Sequence, residues 1–113
     1  MQKRKNKSRF GDETSQRKLR VSELIKRNIA KILIDSNFYD LDRKNYLASV
    51  SEVRCSADLK IATVYVLPLN KIDPQELTNF LGKNKYSIRH ALGKKLSLKY
   101  LPDLRFKEDT LFE

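Results

Sequence analysis

Between Ser49 and Leu67 the chain reads as two strand-like runs joined across Ser56-Ala57-Asp58, and this pairing limits the fold more than any other feature. In the first run Val53 and Cys55 alternate with polar residues, as a strand with one buried face requires. Val50 is out of phase with Val53, which predicts a bulge. The second run, Leu59 to Leu67 (LKIATVYVL), is β-branched and aromatic, a composition suited to a strand. Ser and Asp side chains bond their own backbone in tight turns, so Ser56-Ala57-Asp58 predicts a hairpin. A hairpin alone is marginal in water, so other segments must cover its apolar face. Cys55, the only cysteine, reads as a small core residue on this hairpin. It excludes an internal disulfide framework, agrees with a reducing, cytoplasmic setting, and has no second metal ligand at suitable spacing.

The covering segments are helical. From Arg17 onward, Val21, Leu24, Ile25, Ile29, Ile32 and Leu33 form an apolar stripe of helical period. Thr14 or Ser15 is placed to cap its start, and Asp35, Ser36 and Asn37 mark its end. A polar and aromatic loop, NFYDLDRKNY, separates it from the hairpin. In IDPQELTNFLG, Asp73 fits an N-cap, Pro74 the first helical position and Glu76 the third, as in a capping box. Leu77, Phe80 and Leu81 supply that helix's apolar face, and Gly82 stands where a C′ residue would stop it. Another helix is expected from near Asn84. LPDLRFK reads as a last strand with Pro102 at its first position, Leu104 and Phe106 facing the core, and Arg105 and Lys107 facing out. The order is helix, strand, strand, helix, helix, strand. A chain of 113 residues fits one α+β domain over residues 16–108, with a flexible basic arm at 1–15 and a short tail at 109–113.

Charge narrows the function. The net charge of +10 is unevenly placed: residues 1–20 carry +6, residues 21–82 balance to zero, residues 83–99 carry +6 with no acid, and residues 100–113 carry −2. Two basic blocks around a neutral body suit a polyanion, with nucleic acid favoured. No apolar run approaches the roughly 20 residues of a membrane helix, and the N-terminal stretch lacks the apolar core of a secretory signal. An anionic lipid surface would need an exposed apolar helix face, yet Ile88, Leu92 and Leu96 are needed for the core. Catalysis finds little support. His90 is the only histidine, there is no phosphate-binding or dinucleotide glycine fingerprint, and Asp40 with Asp42 and Glu108 with Asp109 read as local structure. No cofactor or metal is expected.

The second basic block falls in Ser87 to Tyr100, SIRHALGKKLSLKY. On a continuous helix Lys85 and Arg89 share a face, as do Lys95 and Lys99. Gly93 removes a side chain midway and permits either a bend or a close backbone approach. A bend would aim Lys94 and Lys95 at phosphates that a straight helix misses.

Several stretches together resemble a known family. LRVSELIKRNIAKIL (Leu19 to Leu33), CSADLKIATVYV (Cys55 to Val66) and IRHALGKKLSLKYLPDLRF (Ile88 to Phe106) are similar to ribosome-binding factor A proteins. The elements that carry the likeness are Ser56-x-Asp58-Leu59, Ala62-x-Val64-Tyr65-Val66, Arg89-x-x-Leu92-Gly93 and Pro102-Asp103-Leu104-x-Phe106, with Arg20-Val21 at the first helix. The resemblance spans about residues 17–108. It implies a type II KH-like domain: a three-stranded sheet with helices on one face, no GxxG loop, and an Ala-x-Gly kink matched by Ala91-Leu92-Gly93. It implies a bacterial, cytoplasmic, non-catalytic assembly factor that binds the immature small ribosomal subunit near its neck and the 5′ end of its rRNA, assisting processing. A maturation GTPase and other assembly factors are implied partners, and a monomer is the default. The residues expected to contact RNA are Lys85, Arg89, Lys94, Lys95 and Lys99, with Arg17, Lys18 and Arg20 secondary. A general KH-type binder of single-stranded RNA is the alternative. The loop reads YDLDRKNY where the family often has Asp-Pro-Arg, Arg54 stands where many members have Glu, and many members carry a longer C-terminal tail.

Overall fold

A computed structural model describes residues 9–35 and 46–110 of the chain. Residues 1–8 of the expected arm, the loop holding Asp40 and Asp42, and the tail at 111–113 lie outside the described residues. The elements are α1 (Arg9–Asp35), β1 (Ala48–Cys55), β2 (Ile61–Pro68), α2 (Pro74–Lys83), α3 (Lys85–Lys95) and β3 (Asp103–Glu108). This is the order expected from the sequence.

The sheet runs β1-β2-β3, with β1 antiparallel and β3 parallel to the central β2. Val53, Cys55, Ala62, Val64, Val66 and Leu104 alternate onto one face and join a single buried cluster with the helices. α1 packs chiefly on β1, α2 on β3 and β2, and α3 on β3 and α1. The bulge falls where the phase of Val50 placed it. Val50 pairs with Val66 and Glu52 with Tyr65, leaving Ser51 as the extra residue. Its Oγ donates to the Tyr65 carbonyl at 3.2 Å, which fixes the bulge in place.

The hairpin turn is held by a dense local network. Leu59 N donates to Ser56 O at 2.9 Å and Ser56 N to Ile61 O at 2.8 Å. Ser56 Oγ donates to Asp58 Oδ1 at 2.7 Å and accepts from Ile61 N at 3.0 Å, while Lys60 N donates to Asp58 Oδ1 at 3.1 Å. The Ser56 hydroxyl first, and then the Lys60 amide, hold the Asp58 carboxyl below the usual aspartate range. These bonds carry a cost, since Leu59 sits at φ 61°, a left-handed conformation that costs a residue with a Cβ roughly 1–2 kcal/mol.

Three local expectations are revised. α1 begins at Arg9, so Thr14 and Ser15 lie inside it and do not cap it. An apolar stripe marks where a helix is buried, not where it starts, and Glu13 and Gln16 are good helix formers. Its buried face comprises Ser22, Ile25, Ile29, Ile32 and Leu33, whereas Leu24 is exposed. Gly82 belongs to the last turn of α2 at negative φ; Asn84 ends that helix. The start of α2 follows the sequence: Asp73 Oδ2 accepts from Gln75 N at 3.1 Å and Glu76 N at 3.2 Å. Glu76 also accepts from the Tyr46 hydroxyl at 3.1 Å, and the Tyr46 ring stacks on Phe80 with centroids 3.9 Å apart.

Deleting Ser51 leaves Val50 and Glu52 opposite their present partners. The variant is therefore expected to fold cooperatively and to lose less stability than Leu104→Ala, for which about 2–5 kcal/mol is expected from core truncation. Chemical denaturation of both compares them, and an unfolded deletion variant would show that the bulge is required. The turn gives a pH prediction. A depressed carboxyl stabilises the fold above its unfolded pKa, and that contribution is lost as pH falls through the lower folded value. NMR titration should place the Asp58 midpoint below the ordinary aspartate range, and Ser56→Ala should raise it.

Candidate nucleic-acid interface

The two helices that carry the second basic block are divided at Asn84. Its N–H reaches the carbonyls of Phe80 at 3.2 Å and Leu81 at 3.1 Å, its side-chain amide donates to Phe80 O at 2.9 Å, and its own carbonyl accepts from Ile88 N at 3.0 Å. One residue therefore closes α2 and opens α3. The break expected at Ala91-Leu92-Gly93 lies here instead, at Asn84, and α3 runs unbroken from Lys85 through Gly93 to Lys95. Glycine lowers helix propensity but does not force a break when the flanking turns are packed, and Ile88 and Leu92 are fully buried.

Gly93 instead permits a close approach. A Cβ at this position would stand 2.9 Å from Leu101 Cδ1. Lys85, Arg89 and Gly93 are four residues apart, so they share one face of α3. That face meets the chain entering β3. Lys85 Nζ lies 3.4 Å from Asp103 Oδ1, Arg89 Nε donates to Pro102 O at 3.0 Å, and the Arg89 Nη2 group donates to Leu101 O at 2.7 Å. Arg89 uses two of its five N–H donors inward.

The remaining expected contacts are placed differently. Lys94 and Lys95 occupy the last turn of α3, where a cation suits the helix dipole. Both are exposed, and among the described residues neither has an anionic partner. Lys99 lies beyond the helix end, so it shares no helical face with Lys95; its Nζ stands 5.5 Å from the centroid of the Tyr100 ring. On α1, Arg17 and Arg20 are exposed and Lys18 is half-buried. Arg17 lines a groove of about 490 Å³ together with Lys60 and Lys99, so three cations from separate elements meet there. Arg20 lies on the outer face of α1 beside Leu19, Glu23 and Arg27. The sequence reading did not single out Lys60 or Tyr100. The run Lys99-Tyr100 carried a signal, a cation next to an aromatic, but only the tertiary fold brings Lys60 to it.

Among the described residues no group of three or more His, Cys, Asp or Glu is placed to hold a metal ion, and no helix is long and apolar enough to cross a membrane. Arg54 pairs with Glu52 at 2.7 Å on the sheet face away from the helices.

The family model described as ribosome-binding factor A matches residues 17–113. The chain belongs to the ribosome-binding factor A family. It is 45% identical over 109 residues to the ribosome-binding factor A of Ruegeria pomeroyi, covering 96% of this chain and 83% of that protein. It is 44% identical over 108 residues to that of Cereibacter sphaeroides, covering 96% and 77%. The fold is that of solved family members. The crystal structure of the Thermus thermophilus protein matches with a TM-score of 0.69 at 23% identity, covering 80% of this chain and 93% of that one. The solution structure from Thermotoga maritima matches with a TM-score of 0.63 at 27% identity, covering 86% and 91%. The three-stranded sheet with its helices on one face is thus the family's α+β architecture.

The seam along α3 makes the roles of its residues separable. Arg89→Gln should cost about 1.5–3 kcal/mol of stability, the range for hydrogen bonds to a charged group. Gly93→Ala should stay within about 1 kcal/mol of the parent, because the gain in helix propensity offsets a shift of one Leu101 methyl. Denaturant melts of both variants check this; a stability loss at Gly93→Ala larger than at Arg89→Gln would show that the Leu101 side chain cannot give way to a Cβ at this position.

Proposed function

We propose that this chain is a non-catalytic assembly factor that binds the immature small ribosomal subunit through its rRNA, near the neck and the 5′ end, and assists processing. Family membership supports ribosome binding, which is what the family's name states. A Thermus thermophilus member has been fitted as a homology model into a cryo-EM map of its 30S complex. The observation on this chain that carries the reading is the pair Lys94 and Lys95: exposed, without an anionic partner among the described residues, and carried in the last turn of a packed helix. Lys99 and Arg17 extend the cationic surface, with Lys18 and Arg20 as secondary contacts. Lys85 and Arg89 contribute from the seam, where they also hold β3. Contacts of this kind read phosphate positions and RNA shape more than base identity. The factor acts in the cytoplasm as a monomer, and a maturation GTPase and other assembly factors are its expected further partners.

Cation–phosphate contacts release counterions, so binding should weaken steeply with salt. Each contact adds about 0.7–0.9 to the slope of log K against log salt. The double variant Lys94→Gln/Lys95→Gln should therefore lower that slope by roughly 1.5 and weaken binding to purified small subunits, with little change in melting temperature. Titrating subunits and random single-stranded RNA across a salt series measures both. Unaltered subunit affinity and slope would remove the pair from the interface. Equal affinity for subunits and random strands would favour a general single-strand binder.

A further inference from the structure

The groove that gathers Arg17, Lys60 and Lys99 is not a simple basic patch. Its volume, about 490 Å³, lies within the roughly 300–1,000 Å³ of small-ligand sites. Three separate elements build its walls: α1, the turn between β1 and β2, and the connection from α3 to β3. Leu59 and Leu101 give it an apolar floor and are only partly buried by the core. Tyr100 stands beside them with 78% of its surface exposed, an aromatic ring that the core does not use. The one acid in the lining, Asp58, has its carboxylate committed to the Ser56 hydroxyl and the Lys60 amide. The three cations have no anionic partner among residues 16–35 and 46–110. The turn is also strained. Leu59 holds a left-handed conformation that glycine would adopt freely, and by doing so places an apolar residue in the groove wall. Strain held by several hydrogen bonds at a concave surface is a reason to look for a ligand.

We infer that this groove holds one unpaired nucleobase of RNA, with Tyr100 and the leucines against the base and Arg17, Lys60 and Lys99 on its flanking phosphates. The inference rests on the RNA-binding reading above and adds a base site to it. Cations alone would suffice for phosphates. An apolar floor with an exposed aromatic adds something that only a flat, unpaired base can use, because bases within a duplex are already stacked. Such stacking is sequence-tolerant, since every base has a π-face.

The test uses the full chain and two fluorescent hexanucleotides of equal charge, one of ordinary RNA and one fully abasic. Tyr100 is exposed, so Tyr100→Ala should remain folded, which a thermal melt verifies. Tyr100→Ala is expected to bind ordinary RNA about tenfold more weakly than the parent, with the salt slope unchanged. Its affinity for the abasic strand should match the parent's. Leu59→Asn, which tolerates the left-handed backbone but removes the apolar side chain, should show the same selective loss. Parental affinity of Tyr100→Ala for ordinary RNA, or an equal loss for both strands, would overturn the base site. The lysine double variant keeps the two readings apart. If it weakens subunit binding while Tyr100→Ala does not discriminate the strands, only the base site fails; if neither variant changes binding, the RNA-binding reading fails as well.

Discussion

The clamp of Arg89 on the carbonyls of Leu101 and Pro102 organises this molecule. β3 lies parallel to β2, so it cannot be reached by a tight turn and needs a crossover, here made of α2 and α3. The chain leaving α3 must then reverse and run back along that helix before it can pair. Two charge-assisted bonds from Arg89, an ion pair from Lys85 to Asp103 and the gap at Gly93 fix that return path. The first ladder bond, Asp103 N to Lys60 O at 2.8 Å, follows at once. The seam thus sets where β3 enters the sheet, and the burial of Leu104 on the core face holds its register.

The same seam sorts the basic residues by use. Lys85 and Arg89 work inward as well as carrying charge. Lys94 and Lys95 stand just past Gly93 and face water, and Lys99 is carried onward to the groove. A run with no acid between residues 83 and 99 would be costly on a free helix, since like charges four apart repel. Here the helix ends at Lys95, Lys85 is paired with Asp103, Arg89 is hydrogen-bonded to two backbone carbonyls, and the last cation is separated by an extended segment. The charge density that a polyanion would meet is thus kept without a long, self-repelling helix.

Much of this was legible in the sequence because it is local. Asp73-Pro74-x-Glu76 starts α2 by chemistry confined to one turn, and the phase change between Val50 and Val53 is a direct record of the extra residue at Ser51. The acid-free run of cations from 83 to 99, with Lys94 and Lys95 in it, was visible in the charge pattern alone. What failed to show is non-local or ambiguous. Gly82 and Gly93 are the same residue type, yet one rides in the last turn of α2 and the other accommodates Leu101, and no local rule separates these uses from a stop or a bend. Asn84 stands at the break with its side-chain amide on Phe80 O, yet Asn28 makes the same bond to Leu24 O inside the unbroken α1, so neither the residue type nor its bond marks a break in advance. The apolar period through Leu96 suggested that the helix continued, but the backbone turns extended there because Leu98 to Pro102 must fold back. The groove was the least visible feature, since its three cations come from positions 17, 60 and 99.

That distance along the chain bears on how the surface can recognise RNA. Phosphate contacts from flexible lysines on one segment would adapt to almost any polyanion. Here α1, the hairpin turn and the α3–β3 connection are each held by their own network: the buried stripe of α1, the Ser56–Asp58 bonds, and the Arg89 clamp. Their spacing is therefore fixed by the core and not by the RNA. Fixed anchor points penalise any phosphate arrangement that these side chains cannot reach, while each lysine or arginine still gives up rotamer freedom on binding. Selectivity for one folded RNA surface can then arise from geometry, with few base contacts, and the same rigidity that holds β3 in register sets the pattern to be matched.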